Sequence, residues 1–178
     1  VEPKKEFLLS GVISPAIAST PMVLEAFSQL TDCILHITGH VLEGEDMIRD
    51  YTARHPNIKY YGSLSLNDYL DIMHRVTYQL STRDESYPEN QFNFPSKIIE
   101  SLLHNRIVIS TIAYKQLEGI DYFKVDSNCE AFKRQVSEIC NNPNEVLMQY
   151  ANQGALVTKM FSTEVWNKTM TAIENYSK

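Results

Sequence analysis

The sequence predicts an α/β domain: a doubly wound parallel sheet of about six strands with helices on both faces. Apolar, often β-branched runs alternate with helically spaced segments from residue 6 to about residue 126. Three of the strand-like runs carry a glycine at or near their ends (Gly11, Gly39, Gly62), and the segments between strands do not suit hairpin pairing. The 178 residues suit one domain, spanning 1–178, large enough to bury a core without disulfides or metals.

The first run, "EFLLSGVIS" (6–14), closes on serine and glycine and suits a buried strand feeding a loop. In "PMVLEAFSQL" (21–30), Val23, Ala26, Phe27 and Leu30 share a helical face, with Pro21 at the first position and Thr20 as N-cap. "CILHITGH" (33–40) is a second strand ending at Gly39. "EGEDMIRDYTARH" (43–55) has acids in its first turn and bases in its last, as the helix dipole favours. "NIKYYGSL" (57–64) is a third strand ending at Gly62. The helix "SLNDYLDIMHRV" (65–76) follows, capped by Ser65, with Leu66, Tyr69, Leu70 and Met73 on one face.

"TYQLSTRD" (77–84) is the fourth strand, "DESYPENQFNF" a loop, and "PSKIIESLLHN" (95–105) a helix. "RIVISTIA" (106–113) and "DYFKVD" (121–126) are the last two strands, and helices over 128–141, 143–160 and 163–176 close the chain. No internal repeat or low-complexity segment interrupts this order. The architecture is Rossmann-like.

Composition narrows the function. Hydrophobic residues make up 43% and charged residues 21%, ordinary globular values, while the net charge of -6 argues against a nucleic-acid partner. One local basic pocket is still compatible with that charge. Cys33, Cys129 and Cys140 lack metal-ligand spacing and read as reduced thiols in or near the core, which points to the cytoplasm. No apolar run approaches the roughly 20 residues that span a bilayer.

A G-x-G-x-x-G fingerprint and a Walker lysine loop are both absent, which weakens dehydrogenase and NTPase readings. His36 and His40 lie on a strand and its end, not on a helix face, so no zinc site is expected. His55, His74 and His104 fall near helix C-termini, where histidine complements the dipole. No Ser/His/Asp set assembles by spacing, and no catalytic residue is assigned.

In doubly wound sheets, ligands bind beyond the carboxyl ends of the strands. Those ends fall at 11–14, 39–40, 62–64, 83–85 and 111–114. The helix start at Pro95, Ser96 and Lys97 is the most informative of the neighbouring segments. A helix N-terminus offers unpaired N–H groups to an anion, and Ser96 and Lys97 add a hydroxyl and a positive charge. A lysine there opposes the dipole, a small cost that makes sense if an anion binds and is tolerable if the side chain is simply solvated. Glu100, one turn on, has two roles open to it: an acceptor for a ribose diol, or an i, i+3 partner for Lys97.

The runs "FLLSG", "ILHITGH", "NIKYYGSLSLNDYLDIM", "YQLSTRD" and above all "FNFPSKIIESLLHNRIVIST" resemble one family. It is the C-terminal domain of group 1, family-four GT-B glycosyltransferases, in the bacterial surface-polysaccharide branch. The resemblance covers roughly residues 6–176, and its specific part is 94–111. It implies a donor-binding domain whose acceptor domain lies N-terminal in a longer enzyme. Glu100 would bind the ribose; Ser96, Lys97, Arg83 and Gly11 would lie by the donor diphosphate; Gly62, Ser63 and Leu64 would form the loop meeting the base.

This chain departs from the family pattern in two places. Phe92 stands where the family has the first glutamate of its Glu–seven residues–Glu pattern. "SGVISPAIASTP" lacks the family's Arg and Lys after the first strand, which leaves Arg83 and Lys97 to compensate.

The function expected from this resemblance is retaining transfer of a sugar from a nucleotide diphosphate to a glycan or lipid-linked acceptor. No metal and no cofactor beyond the nucleotide-sugar substrate is implied. The isolated domain is expected to be inactive, and any contact with the inner face of the membrane would come through the parent enzyme. The alternatives are a GT-B nucleotide-sugar epimerase, with His40 and Glu85 as its candidate catalysts, and a degenerate Rossmann-like binding or assembly module.

Overall fold

The computed structural model describes residues 3–84, 86–165, 167 and 168. Six parallel strands form one sheet: β1 (Glu6–Ile13), β2 (Ile34–Val41), β3 (Ile58–Tyr60), β4 (Tyr78–Ser81), β5 (Ile107–Ser110) and β6 (Phe123–Lys124). Their order is β3-β2-β1-β4-β5-β6, so the direction of winding reverses between β1 and β4. The fold is a doubly wound, Rossmann-like α/β sheet, and the reversal opens a crevice at the carboxyl ends of those two strands.

The helices that cover the sheet are α1 (Pro15–Ala18), α2 (Thr20–Gln29), α3 (Glu45–Arg54), α4 (Leu66–Arg75), α5 (Pro88–Phe92), α6 (Ser96–Leu103), α7 (Cys129–Cys140), α8 (Asn144–Ala151) and α9 (Gly154–Met160). Side chains alternate across the strands, so each strand feeds two apolar layers. Phe7, Leu9, Leu35, Ile37, Tyr78 and Ile109 pack on one face with Phe27 of α2, Ile48 of α3, Phe132 of α7 and Leu147 of α8. On the other face Leu8 meets Ile72 and Met73 of α4, and Val108 meets Ile98 and Leu102 of α6 and Val157 of α9.

Several boundaries differ from the sequence reading. The third to sixth strands are shorter than 57–64, 77–84, 106–113 and 121–126 suggest. Apolar residues beyond their ends, Ile112, Tyr114 and Val125 among them, are buried just past the strands. The stretch read as loop after β4 contains α5, and α1 was not expected at all. Residues 143–160 form two helices, because the chain breaks at Asn152 and Gln153. There Gln153 Oε1 accepts from Asp121 N–H at 3.1 Å, and Gly154 brings α9 against the Leu102 carbonyl of α6.

On α4 the buried positions are Ile72 and Met73, while Leu66 is 69% exposed in the first turn, at the crevice end. Thr20 is already helical, with Ser19 at the N-cap position of α2, and Pro95 precedes α6 rather than starting it; neither position makes a side-chain cap bond. Ser65 caps α4 as expected, its Oγ accepting from Asp68 N–H at 3.2 Å. Most of the closing helix expected over 163–176 lies outside the described residues.

Candidate functional site

The crevice between β1 and β4 is a cavity of about 280 Å³. Its walls bring together Gly11 and Val12 from β1, Ile17 from α1, Arg83 after β4, and Ser96 and Lys97 from the first turn of α6. All four residues expected beside a diphosphate therefore border one space: Gly11, Arg83, Ser96 and Lys97. A second cavity, also about 280 Å³, adjoins it and is bordered by Thr38, Gly39, His40, Ser63 and Leu64. The two share Ser10, Gly11 and Lys97.

Glycine chemistry makes this convergence possible. Gly11 has φ +107, and a Cβ there would sit 3.6 Å from Lys97 Cε, so the lysine stem lies directly over the end of β1. Gly62, at φ +66, turns the chain after β3. Its carbonyl accepts from Thr38 Oγ1 at 2.7 Å and from Gly39 N–H at 3.0 Å, while Ser63 Oγ donates to the Gly39 carbonyl at 3.2 Å. The 62–64 loop is thus pinned to the end of β2. Ser63 and Leu64 face the second cavity; Gly62 borders neither and acts through the turn.

Lys97 is the hinge of the site. Its ammonium donates to Glu100 Oε2 at 3.0 Å and to Tyr69 Oη at 3.3 Å, and it lies 5.1 Å from the centre of the Tyr69 ring. Tyr69 Oη in turn donates to Glu100 Oε2 at 3.3 Å. Burial works against the lysine charge, but the Glu100 bond and the Tyr69 contact outweigh it and hold its pKa above the ordinary lysine value. Burial also pushes the Tyr69 phenol up, so it stays a neutral donor. Glu100 borders neither cavity; it stands behind Lys97, and the i, i+3 pair is formed.

Arg83 is held from behind by Asn90, a residue the sequence reading passed over. Asn90 is 4% exposed, and its Oδ1 accepts from Arg83 Nη1 at 3.1 Å. Its Nδ2 donates to the carbonyls of Ala16 at 3.0 Å and Asp84 at 2.9 Å. One amide therefore ties α5, α1 and the loop after β4 to the guanidinium at the crevice wall. Nothing local in "PENQF" signals this, because the Ala16 carbonyl lies 74 residues away in sequence. We expect Asn90→Ala to cost about 2–3 kcal/mol by removing three hydrogen bonds from a buried amide that ties α1, α5 and the loop after β4 together, measurable as a lowered urea midpoint. Asn90→Asp is expected to hold Arg83 but repel both carbonyls, and so to be destabilised as well.

Three of the other histidines make structural contacts. His36 is buried, with Nδ1 2.8 Å from Tyr61 Oη and Nε2 3.2 Å from Glu6 Oε2. His74 and His104 sit at the ends of α4 and α6 and meet at 3.0 Å. His40 borders the second cavity, Glu85 is outside the described residues, and Phe92 is 84% exposed at the end of α5. The three cysteines are free thiols, and no helix among the described residues is long and apolar enough to cross a membrane.

The sequence matches no family model and no curated protein. The fold does have close counterparts among solved structures. Superposed on TarM of S. aureus, the chain gives a TM-score of 0.73 at 15% identity, covering 96% of this chain and 35% of that one. Anabaena HepE, crystallised with UDP and glucose, gives 0.70 at 17% identity over 97% of this chain and 49% of that one. The C-terminal domain of the group 1 glycosyl transferase LpcC from Francisella tularensis gives 0.64 at 11% identity, covering 90% and 87%. This chain therefore has the fold of the C-terminal domain of GT-B glycosyltransferases, and spans about a third of TarM and half of HepE.

Proposed function

We propose that this chain is the donor-binding domain of a two-domain retaining glycosyltransferase, working in bacterial polysaccharide or glycan synthesis. The observation that carries the reading is the convergence of Arg83, Ser96, Lys97 and the glycine end of β1 on one crevice at the switch point. The family resemblance of "FNFPSKIIE" and the UDP complexes of proteins sharing the fold support it.

In this reading the nucleotide diphosphate lies across Gly11, against the first turn of α6. Its oxygens accept from the N–H groups that open the helix and from the Lys97 ammonium. Arg83, fixed by Asn90, faces the phosphate from the opposite wall. The base extends over Ser63 and Leu64, and the ribose diol bonds Glu100 once Lys97 swings to the phosphate. The residues' contribution to transfer is to position the donor and stabilise the charge that develops on the leaving diphosphate. The acceptor, a glycan or lipid-linked sugar, would be held by an N-terminal domain.

Amide chemical-shift mapping tests the placement. UDP is expected to shift Gly11, Arg83, Ser96 and Lys97 together with residues 62–64, and uridine to shift mainly the 62–64 loop. UDP shifts clustered away from the crevice would overturn the reading.

A further inference from the structure

We propose that Tyr69 is a positioning residue for the donor: its hydroxyl keeps Glu100 held for the ribose diol when Lys97 turns from Glu100 to the phosphate. This role rests on the nucleotide reading of the crevice and brings α4 into the site. Tyr69 packs with Leu64 against the buried cluster of Leu8, Ile72, Met73 and Val76, which fixes its ring. It also borders the second cavity beside Ser63, Leu64 and Lys97. The phenol therefore stands between the loop that would meet the base and the helix start that would meet the diphosphate. In a nucleotide, the ribose joins those two parts.

The hydrogen bonds form a triangle. Glu100 Oε2 accepts from Lys97 Nζ at 3.0 Å and from Tyr69 Oη at 3.3 Å. Tyr69 Oη in turn accepts from Lys97 Nζ at 3.3 Å, so one hydroxyl serves the lysine as acceptor and the carboxylate as donor. Glu100 Oε1 makes no hydrogen bond among the described residues, and the Glu100 side chain is 36% exposed. That second oxygen is left to accept from a ribose hydroxyl.

Tyr69 matters most once Lys97 leaves. At that moment the carboxylate loses its cation while a phosphate arrives nearby, and the two like charges repel. A carboxylate with no donor would also turn freely, and ordering it on the ribose would cost side-chain entropy. The bond from Tyr69 Oη meets both costs: it keeps one donor on Oε2 and fixes the group with Oε1 open. Tyr69→Phe isolates this function, since the ring that lies 5.1 Å from the Lys97 ammonium is kept and the hydroxyl alone is lost.

The test is a calorimetric titration with UDP and with 2′,3′-dideoxyuridine diphosphate, which lacks both ribose hydroxyls. The proteins are the wild-type chain, Tyr69→Phe, Glu100→Ala and the double variant. The wild type is expected to prefer UDP by about 5- to 10-fold. Tyr69→Phe should weaken UDP by about three- to fivefold and leave the dideoxy ligand within about twofold of wild type. In the Glu100→Ala background, Tyr69→Phe should change neither ligand by more than about twofold, because it acts through Glu100. A tyrosine that merely packs α4 would weaken both ligands alike. Equal weakening of both, no loss for UDP, a further loss in the Glu100→Ala background, or a wild type without preference would overturn the role of Tyr69 and leave diphosphate binding standing. A wild type that binds neither ligand would overturn the crevice reading, and this role with it.

Discussion

Gly39→Ala is expected to lower stability by roughly 3–5 kcal/mol, the largest single-residue effect at the site. Gly39 lies opposite Gly11 in the β1–β2 ladder, with φ +141. A Cβ built there falls 1.9 Å from the Gly11 carbonyl oxygen and within 2.9 Å of Gly11 N. The obstacle is backbone, so no rotamer relieves it, and the strands must part at their carboxyl ends. Parting them also moves Gly11 out from under Lys97, so nucleotide binding should be lost with stability. Gly62→Ala is the control: its φ of +66 is left-handed, but nothing lies within 4 Å of the new Cβ. That variant should cost only about 1–2 kcal/mol. Urea denaturation of the two separates close approach from backbone preference, and equal losses would contradict this account of the β1–β2 contact.

Lys97→Ala is expected to weaken nucleoside-diphosphate binding about 10- to 100-fold, the loss of a charge-assisted hydrogen bond in a half-buried site. Two features of the crevice raise the effect. The wall formed by Val12, Ile17 and Ala18 is apolar, so phosphate charge depends on Lys97, Arg83 and the start of α6. Removing the lysine also leaves the Glu100 carboxylate, 3.0 Å from its ammonium, without its cation close to the phosphate position. Glu100→Ala is expected to lose about 5- to 10-fold through the ribose, less than Lys97→Ala because ribose bonds are neutral on the ligand side. Both changes lie at the half-exposed end of α6, so folding stability should move by less than about 1 kcal/mol.

The residues legible in the sequence are those whose signals are local. Parallel strands buried on both faces read as apolar runs, so "FLL" and "IVIS" announced β1 and β5. The start of α6 was legible because helix-end chemistry and i, i+3 spacing fall within a few residues. Strand ends were overrun because Ile112, Tyr114 and Val125 are as apolar and buried as strand residues while lying just past the strands. The short helix α5 gave no periodic signal: its Phe92 faces solvent, and its placement rests on Asn90 bonding the distant Ala16 carbonyl. Tyr69 read as one more apolar position on α4, since only the three-dimensional approach of α4 and α6 brings its hydroxyl to Lys97 and Glu100. The strand order, and with it the switch point, is a property of the assembled sheet.

In the proposed function, the crevice over Gly11 binds a nucleotide diphosphate through the first turn of α6. Calorimetric titration of UDP into the wild-type chain and into Lys97→Ala and Glu100→Ala tests it most directly. The wild type should bind saturably, with a 10- to 100-fold loss for Lys97→Ala and a smaller loss for Glu100→Ala. A wild type that binds UDP while both variants bind it equally well would contradict the assignment.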